Sequence, residues 1–434
     1  MKFVNVLFVV LLYCTHLSAQ VTLPNNLYFT HIGVEDGLCQ NTVCCILQDH
    51  LGFIWLGTKD GLTRYDGYRF RVFKHDAADP MSIGNNFIRV LYEDADGLIW
   101  IGTNVGVYIY NPETENFRKF DVATERGDVI SREVSSIKCD SSGDLWIGVN
   151  WQGVFRYDRR DESLELYEPV PGDTTSLSSV HVWDLCFDGD GNLWVGSQNG
   201  GLDRYDRETD RFVRHRLKGL SDVSRIVLDK QNQLLLGTMK DGLFSFNPYM
   251  GTCQPLLLDS GHKDLFVRAI FVRNSREVVV GTENGIYIYD CVTRKTRHVN
   301  QELGNPYSLS CKAVYSIYCD KEGALWIGTY FGGVNYLPPS SSLIFDKFYP
   351  IGHSDRLSGK AVREFVRDEN GIIWIGTEDQ GLNRFDPVSG KFTHYNSRNS
   401  GLSCDNVHGL CVDGDRLYIG TFFGGFNIMD LKTN

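Results

Sequence analysis

The chain has 434 residues, a net charge of −11, and a composition that is 42% hydrophobic and 22% charged, the balance of a soluble globular protein. The negative charge argues against nonspecific binding to nucleic acid or to an anionic membrane. Gly (44) and aromatic residues (12%) are frequent while Met (5) is scarce, which suits many short strands joined by tight turns.

The first residues read as an export signal. Lys2 supplies the positive region, Phe3 to Tyr13 is almost wholly apolar, and Leu17-Ser18-Ala19 ends in a small residue suited to cleavage before Gln20. That run is too short to span a bilayer. Residues 1–19 are therefore expected to be removed as a signal peptide, leaving a periplasmic mature chain with no membrane span of its own. Of the twelve Cys, eleven remain after cleavage, without regular Cys-x-x-Cys spacing. Cys139 and Cys319 each precede an Asp at equivalent places, a pattern of small buried hydrophobes and not of a disulfide framework or a zinc site.

From there on, one unit recurs. Its core is an apolar residue (usually Trp), a second apolar residue, Gly and often Thr, first as Trp55-Leu56-Gly57-Thr58 and last as Tyr418-Ile419-Gly420-Thr421. Nine copies place their core glycines at 57, 102, 148, 196, 237, 281, 328, 376 and 420, a period of about 45 residues. Each copy parses into four short strands: a Val-x-x-Ile-x-x-Asp strand such as Val43–Asp49, the Trp-Ile-Gly-Thr strand, a third such as Gly61–Asp66, and a fourth with spaced aromatics such as Phe70–Asp76. Four antiparallel strands joined by Gly and Asp turns make the blade of a β-propeller. Strands covered on both faces by neighbouring blades account for apolar runs in place of strict alternation.

Nine copies exceed the four to eight blades of a typical propeller. Tyr28–Val43 aligns with Phe392–Val407, so the mature chain opens on a fourth-type strand at 28–32, which would close a ring by pairing with its last blade. The seventh copy ends at Tyr336-Leu337, before the linker-like Pro338-Pro339-Ser340-Ser341-Ser342, and Leu343–Tyr349 is again of the fourth type. The expected architecture is all-β. A seven-bladed β-propeller over 21–338, closed by the N-terminal strand, is followed over 341–434 by the first two blades of a second, incomplete propeller that breaks off at Asn434.

The stretches GFIWLGTKDGLTRYDG (52–67), DLWIGVNWQGVFRYD (144–158) and ALWIGTYFGGVNYLPP (324–339), with FTHIGVEDGL (29–38) and NPYSLS (305–310), resemble two-component-regulator propeller repeats. Such repeats form the periplasmic sensor region of hybrid two-component systems in gut Bacteroidetes. The resemblance implies two seven-bladed propellers ahead of a small β-sandwich, a membrane helix, a histidine kinase and a DNA-binding response regulator. It also implies sensing of oligosaccharides released from glycans, with the remaining kinase domains as partners and a homodimer formed through them. This sequence carries no kinase segment, and His181, His353 and His408 lie in loops or strand starts and do not read as phosphoacceptors.

No cofactor, metal site or catalytic constellation is legible. Asp188–Trp194 has carboxylates at alternate positions like a calcium loop, but an EF-hand needs Gly at its sixth place and Glu at its twelfth, where Leu193 and Asn199 stand; a β-turn is the reading. Residues where the copies disagree carry more functional information than residues that recur. The loops between second and third strands vary most, and they supply the candidate ligand-binding residues Lys59, Asp60, Asn150, Trp151, Gln152, Tyr330, Phe331, Phe422 and Phe423. Aromatics beside amides and carboxylates suit a sugar, whose apolar faces stack while its hydroxyls need hydrogen bonds. The same aromatics would also suit packing between loops or a protein interface. The expected function is a non-enzymatic, ligand-sensing propeller. The alternatives are a polysaccharide lyase or glycosidase, which would need convergent acid and base groups at one ring mouth, and an interaction scaffold.

Overall fold

The computed structural model describes residues 22–217, 220, 222–257, 265–339, 347–350 and 356–433. The anticipated export segment at 1–19 lies outside them. Within them the chain forms nine antiparallel sheets, eight of four strands and one of three. The first sheet is typical: Val43–Gln48, Ile54–Thr58, Gly61–Tyr65 and Phe70–Phe73 pair in sequence order as a meander. Two compact units result, one holding the first seven sheets and the other the last two.

The first unit is a closed, seven-bladed propeller. Each blade's first strand is the innermost and packs beside the first strand of the next blade. Val43–Gln48 meets both Ile88–Glu93 of the second blade and Val314–Cys319 of the seventh, which completes the circle. The seventh sheet takes its outer strand from the N-terminal side: Thr30–Ile32 pairs antiparallel with Val334–Leu337 in the register Thr30↔Tyr336 and Ile32↔Val334. Such closure gives the seventh sheet its fourth strand and ties the two ends of the ring together.

Two recurring devices explain why these residues build blades. The first is an Asp six residues before each Trp. Asp49 accepts the Trp55 indole N–H at 2.7 Å, and Asp94–Trp100, Asp188–Trp194 and Asp320–Trp326 repeat this at 2.8 Å. The other carboxylate oxygen takes backbone N–H groups of the turn between, as Asp188 Oδ1 does from Asp190 and Asn192. The Asp188 segment is thus a turn whose carboxylate is fully engaged by donors. Where the Trp is replaced by Leu235 or Val279, the turn residues Asp229 and Asn274 keep only the backbone bonds.

The second device is the core glycine. A Cβ on Gly57 would stand 2.7 Å from Ile88 of the next blade, one on Gly102 2.6 Å from Val134, and one on Gly328 2.8 Å from the Val43 carbonyl oxygen. These glycines therefore allow blade-to-blade approach inside a strand. The buried Trp beside each fills the remaining space: Trp55 clusters with Ile99, Ile101 and Tyr110 of the second blade, and Trp326 with Val43, Ile54 and Leu56 of the first.

The second unit holds the first two blades of an incomplete propeller. One sheet has four strands, from Val362–Arg367 to Lys391–Tyr395, and the other has three, Val407–Asp413, Arg416–Thr421 and Gly425–Asp430. Gly376 faces Val407 as in the ring. Of the opening strand expected over Leu343–Tyr349, residues 343–346 lie outside the described residues and 347–349 form no strand. The Phe348 ring instead packs edge-on against Phe385 and Phe392 at 4.9 and 5.5 Å.

Candidate functional site

Every first strand carries a β-bulge at the same place. Val43 pairs with Thr58 and Cys45 with Gly57, so Cys44 is an extra residue that opposes nothing. The equivalent residues are Arg89, Ser135, Trp183, Ser224, Arg268 and Tyr315 in the other six blades of the ring. A bulge releases one residue from the ladder and re-aims its side chain. The second-to-third-strand loops are tied beside these bulges by backbone bonds to the residue just before a first strand. Lys59 N–H donates to Thr42 O at 3.3 Å, Asn150 N–H to Glu133 O at 2.8 Å, and Tyr330 N–H to Ala313 O at 3.0 Å. Bulge residues and loop residues therefore share one end of the ring.

There they form a continuous belt of alternating rings and cations. The Trp183 ring lies 6.4 Å from Phe266. The Arg268 guanidinium sits over Phe266 at 4.1 Å and over Tyr315 at 4.3 Å. Tyr315 stands 5.1 Å from Tyr330, and Lys59 Nζ lies 4.3 Å over Tyr330 and 5.6 Å from Phe87. Arg89 stacks on Phe87 at 4.0 Å, bonds Asn104 Oδ1 through Nε at 2.7 Å, and reaches Glu133 at 3.1 Å. Arg268 is tied to Glu283 through its Nε. Cation–aromatic contacts hold each guanidinium in a plane.

Beneath the belt, Arg225 donates from Nε to the Arg268 carbonyl at 2.7 Å and from Nη1 to the Ser224 carbonyl at 2.9 Å. Burial pulls its pKa below the usual range, while Asp184 opposes the shift. Burial likewise pushes the Cys44 thiol up to about 11, against the downward pull of Arg89, Lys59 and Arg268. That thiol is therefore protonated and unreactive, and it reports that three cations act on one small space.

The structure sorts the sequence-predicted residues into three groups. Lys59, Tyr330 and Phe331 come together in the belt, with the Tyr330 and Phe331 rings 4.1 Å apart and Phe331 exposed. Asn150 and Trp151 form a separate patch: His181 bonds Asn150 Oδ1 through Nδ1 at 3.2 Å and meets the Trp151 ring edge-on at 4.1 Å. Trp151 is 66% exposed and holds a left-handed φ of 71°, costly for an aromatic residue. Asp60 and Gln152 are engaged structurally. Asp60 takes Lys74 and the Asn86 amide at 2.5 and 3.1 Å, while Gln152 bonds the backbone of Val129, Ser131 and Arg132. Phe422 and Phe423 belong to the second unit, where Phe422 lies 4.9 Å from His408.

Sequence reading missed Phe87, Arg89, Trp183, Phe266, Arg268 and Tyr315. For Arg89, Trp183, Arg268 and Tyr315 a faint signal was present: the residue after the opening Val or Ile of each first strand runs Cys, Arg, Ser, Trp, Ser, Arg, Tyr through the ring, while the opening residue itself recurs. Among the described residues no group of three or more His, Cys, Asp or Glu side chains gathers as metal ligands do.

A family model described as a two component regulator propeller matches residues 37–60, 82–105, 176–199, 308–331 and 356–379. The chain carries two-component regulator propeller repeats. Its fold matches the extracellular domain of the proposed hybrid two component system BT3049 from B. thetaiotaomicron, with a TM-score of 0.76 and 26% identity over 94% of this chain and 54% of that one. Histidine kinase P4 of Formosa agariphila is 39% identical over 59 residues, which are 14% of this chain and 4% of the kinase. Virginiamycin B lyase from Staphylococcus aureus shares the propeller fold at a TM-score of 0.54 and 12% identity, over 72% of this chain and 99% of the lyase. The chain thus spans about half the length of the sensor domain it matches and a small part of the kinase. No helix among the described residues is long and apolar enough to cross a membrane.

Proposed function

We propose that this chain is the ligand-receiving propeller of the extracytoplasmic sensor region of a hybrid two-component system, and that a saccharide from glycan breakdown docks on the belt at the ring's mouth. The observation that carries this reading is the belt itself. Rings from four elements, Phe87, Phe266, Tyr315 and Tyr330, converge with charged donors around one opening, the combination a saccharide requires. The export segment at 1–19 would deliver the chain to the periplasm, and the kinase and regulator domains of a longer protein would be its partners. A non-enzymatic role fits the carboxylates of the belt. Glu133 and Glu283 are each engaged by an arginine, whereas glycoside cleavage needs a free pair facing one bond.

The test is calorimetric titration of the purified chain with a library of neutral and acidic oligosaccharides, followed by the Tyr330→Ala variant. Binding is expected, weakened about tenfold or more by loss of the central ring. No binding by any member, or binding that Tyr330→Ala leaves untouched, would overturn the reading. The Trp151–His181 patch supplies a second ring surface, and Trp151→Ala reports whether it shares the ligand.

A further inference from the structure

We infer that the belt selects acidic saccharides: a uronic carboxylate or a sulfate ester is held by Lys59, Arg89 and Arg268 while Tyr330 and Phe87 take the apolar face of the sugar ring. This rests on the saccharide-binding reading above and names the chemical class of its ligand.

Charge placement is the first support. The chain as a whole carries −11, yet three cations occupy the belt against two carboxylates, with Arg225 directly beneath. The carboxylates do not neutralise the opening evenly, because each sits at one end of the belt on one arginine. Lys59, between them, has no carboxylate partner among the described residues; its Nζ lies over the faces of Tyr330 and Phe87. A lysine resting on ring faces keeps its full charge and its three donors, and an arriving anion offers it a stronger contact.

The free donors are the second support. Arg89 engages Asn104 through Nε and Glu133 through Nη2, and no partner takes its Nη1 among the described residues. Arg268 engages Glu283 through Nε, and among the described residues neither Nη group has a hydrogen-bond partner. Stacking on Phe87, Phe266 and Tyr315 fixes both guanidinium planes before any ligand arrives, so little orientational freedom is lost on binding. A planar fork with open donors matches a carboxylate or sulfate better than it matches a neutral hydroxyl.

A neutral saccharide would stack on the same rings but would leave these donors without anionic acceptors. The site would then bind it no better after the cations are removed or before. The two readings therefore differ in an observable.

The experiment is titration of the full chain with three sets of oligosaccharides of matched length: uronate-bearing, sulfate-bearing and neutral. At least one acidic set is expected to bind at least about tenfold more tightly than the neutral set, with an affinity that falls as salt is raised. Arg268→Gln and Lys59→Met are each expected to weaken the acidic ligand about tenfold and the neutral set much less, so that the acidic preference narrows. Comparison of the uronate and sulfate arms tells which substituent is read. Lys59 lies in a loop, outside every ladder, so Lys59→Met keeps the test open should Arg268→Gln unfold. Equal binding of neutral and acidic sets, insensitive to both variants, overturns the acidic preference and leaves the saccharide reading standing. Binding of none of the three sets overturns both.

Discussion

The ring and the two-blade unit are written in the same repeat, and they differ in what the repeat buries. In the ring, Val43 and Val314 are fully buried at the start of their strands; the equivalent Val362 of the second unit is 46% exposed, and Phe365 on the same strand is 71% exposed. In the ring every core glycine meets a side chain of the next blade. Gly420 has only the backbone of Gly409, in its own sheet, at 3.8 Å. Phe426 and Ile428 on the adjoining strand are 65% and 56% exposed. A blade therefore does not contain its own core. It carries half of two interfaces, and stability comes from neighbours, as in other stacked repeats.

Substitutions at matched positions test that contrast. The largest effect is expected from Trp146→Ala, which empties a fully buried site between third and fourth blades and should destabilise the ring by about 3–5 kcal/mol. Phe426→Ala in the second unit should stay within about 0.5 kcal/mol. Urea unfolding of both variants gives the comparison; equal losses would mean that the blades are independent. Next comes Gly328→Ala, whose Cβ would stand 2.8 Å from a backbone oxygen of the first blade, at a cost of about 1–3 kcal/mol. Gly420→Ala, with nothing nearer than 3.8 Å, should be neutral in the same assay.

A third comparison concerns one carboxylate. In the seventh, eighth and ninth blades an Asn on the third strand holds the incoming Leu-Ser segment from both ends. Asn335 accepts the Ser310 N–H and donates to its hydroxyl, Asn383 bonds Ser358, and Asn427 bonds Ser403. The fourth blade has Asp203 there, buried, with Ser178 on one oxygen and, among the described residues, no partner for the other. Burial raises its pKa from 3.8 to about 6, against the bonds from Ser178. A carboxyl whose folded pKa is raised favours the folded state most below the unfolded value, and that contribution is lost as pH climbs from about 4 to 6. Asp203→Asn should therefore stabilise the ring by about 2 kcal/mol at neutral pH and by little at pH about 4. Melting temperatures of the two proteins across that range would refute this if their difference stayed constant. The smallest effect is expected of Phe426→Ser combined with Ile428→Ser, which should change stability by less than about 0.5 kcal/mol. Because it blunts an exposed apolar strand, it should still lower light scattering at high protein concentration.

Much of the fold was legible in the sequence because its governing contacts recur. The Trp and the Asp six residues before it appear together in most copies, and where Val279 replaces the Trp, Arg273 stands in the place of the Asp. The core glycines were legible as a period, but their physical reason was not. It lies in a side chain of the next blade, about 30 residues further along. The site was half legible. Loop residues stood out because they break the repeat, which found Lys59, Tyr330 and Phe331. Arg89, Arg268 and Tyr315 were hidden inside strands, where a bulge that no sequence pattern marks turns one residue out of the ladder. Asp60 and Gln152 misled because an irregular loop position serves equally well for tying one blade to the next.

The bulge also bears on how such a receptor can change. Its extra residue makes no cross-strand pair, so replacing it leaves the ladder intact, even where, as at Ser224, the side chain also bonds the next blade. Seven such positions surround one opening, each on a separate blade, and some touch across the seam, as Arg268 and Tyr315 do. The ring behaves as a keyboard of seven keys, some of them coupled, on a fixed frame. Descendants of one fold could come to recognise different molecules by single exchanges, with the nine-fold repeat left as it stands.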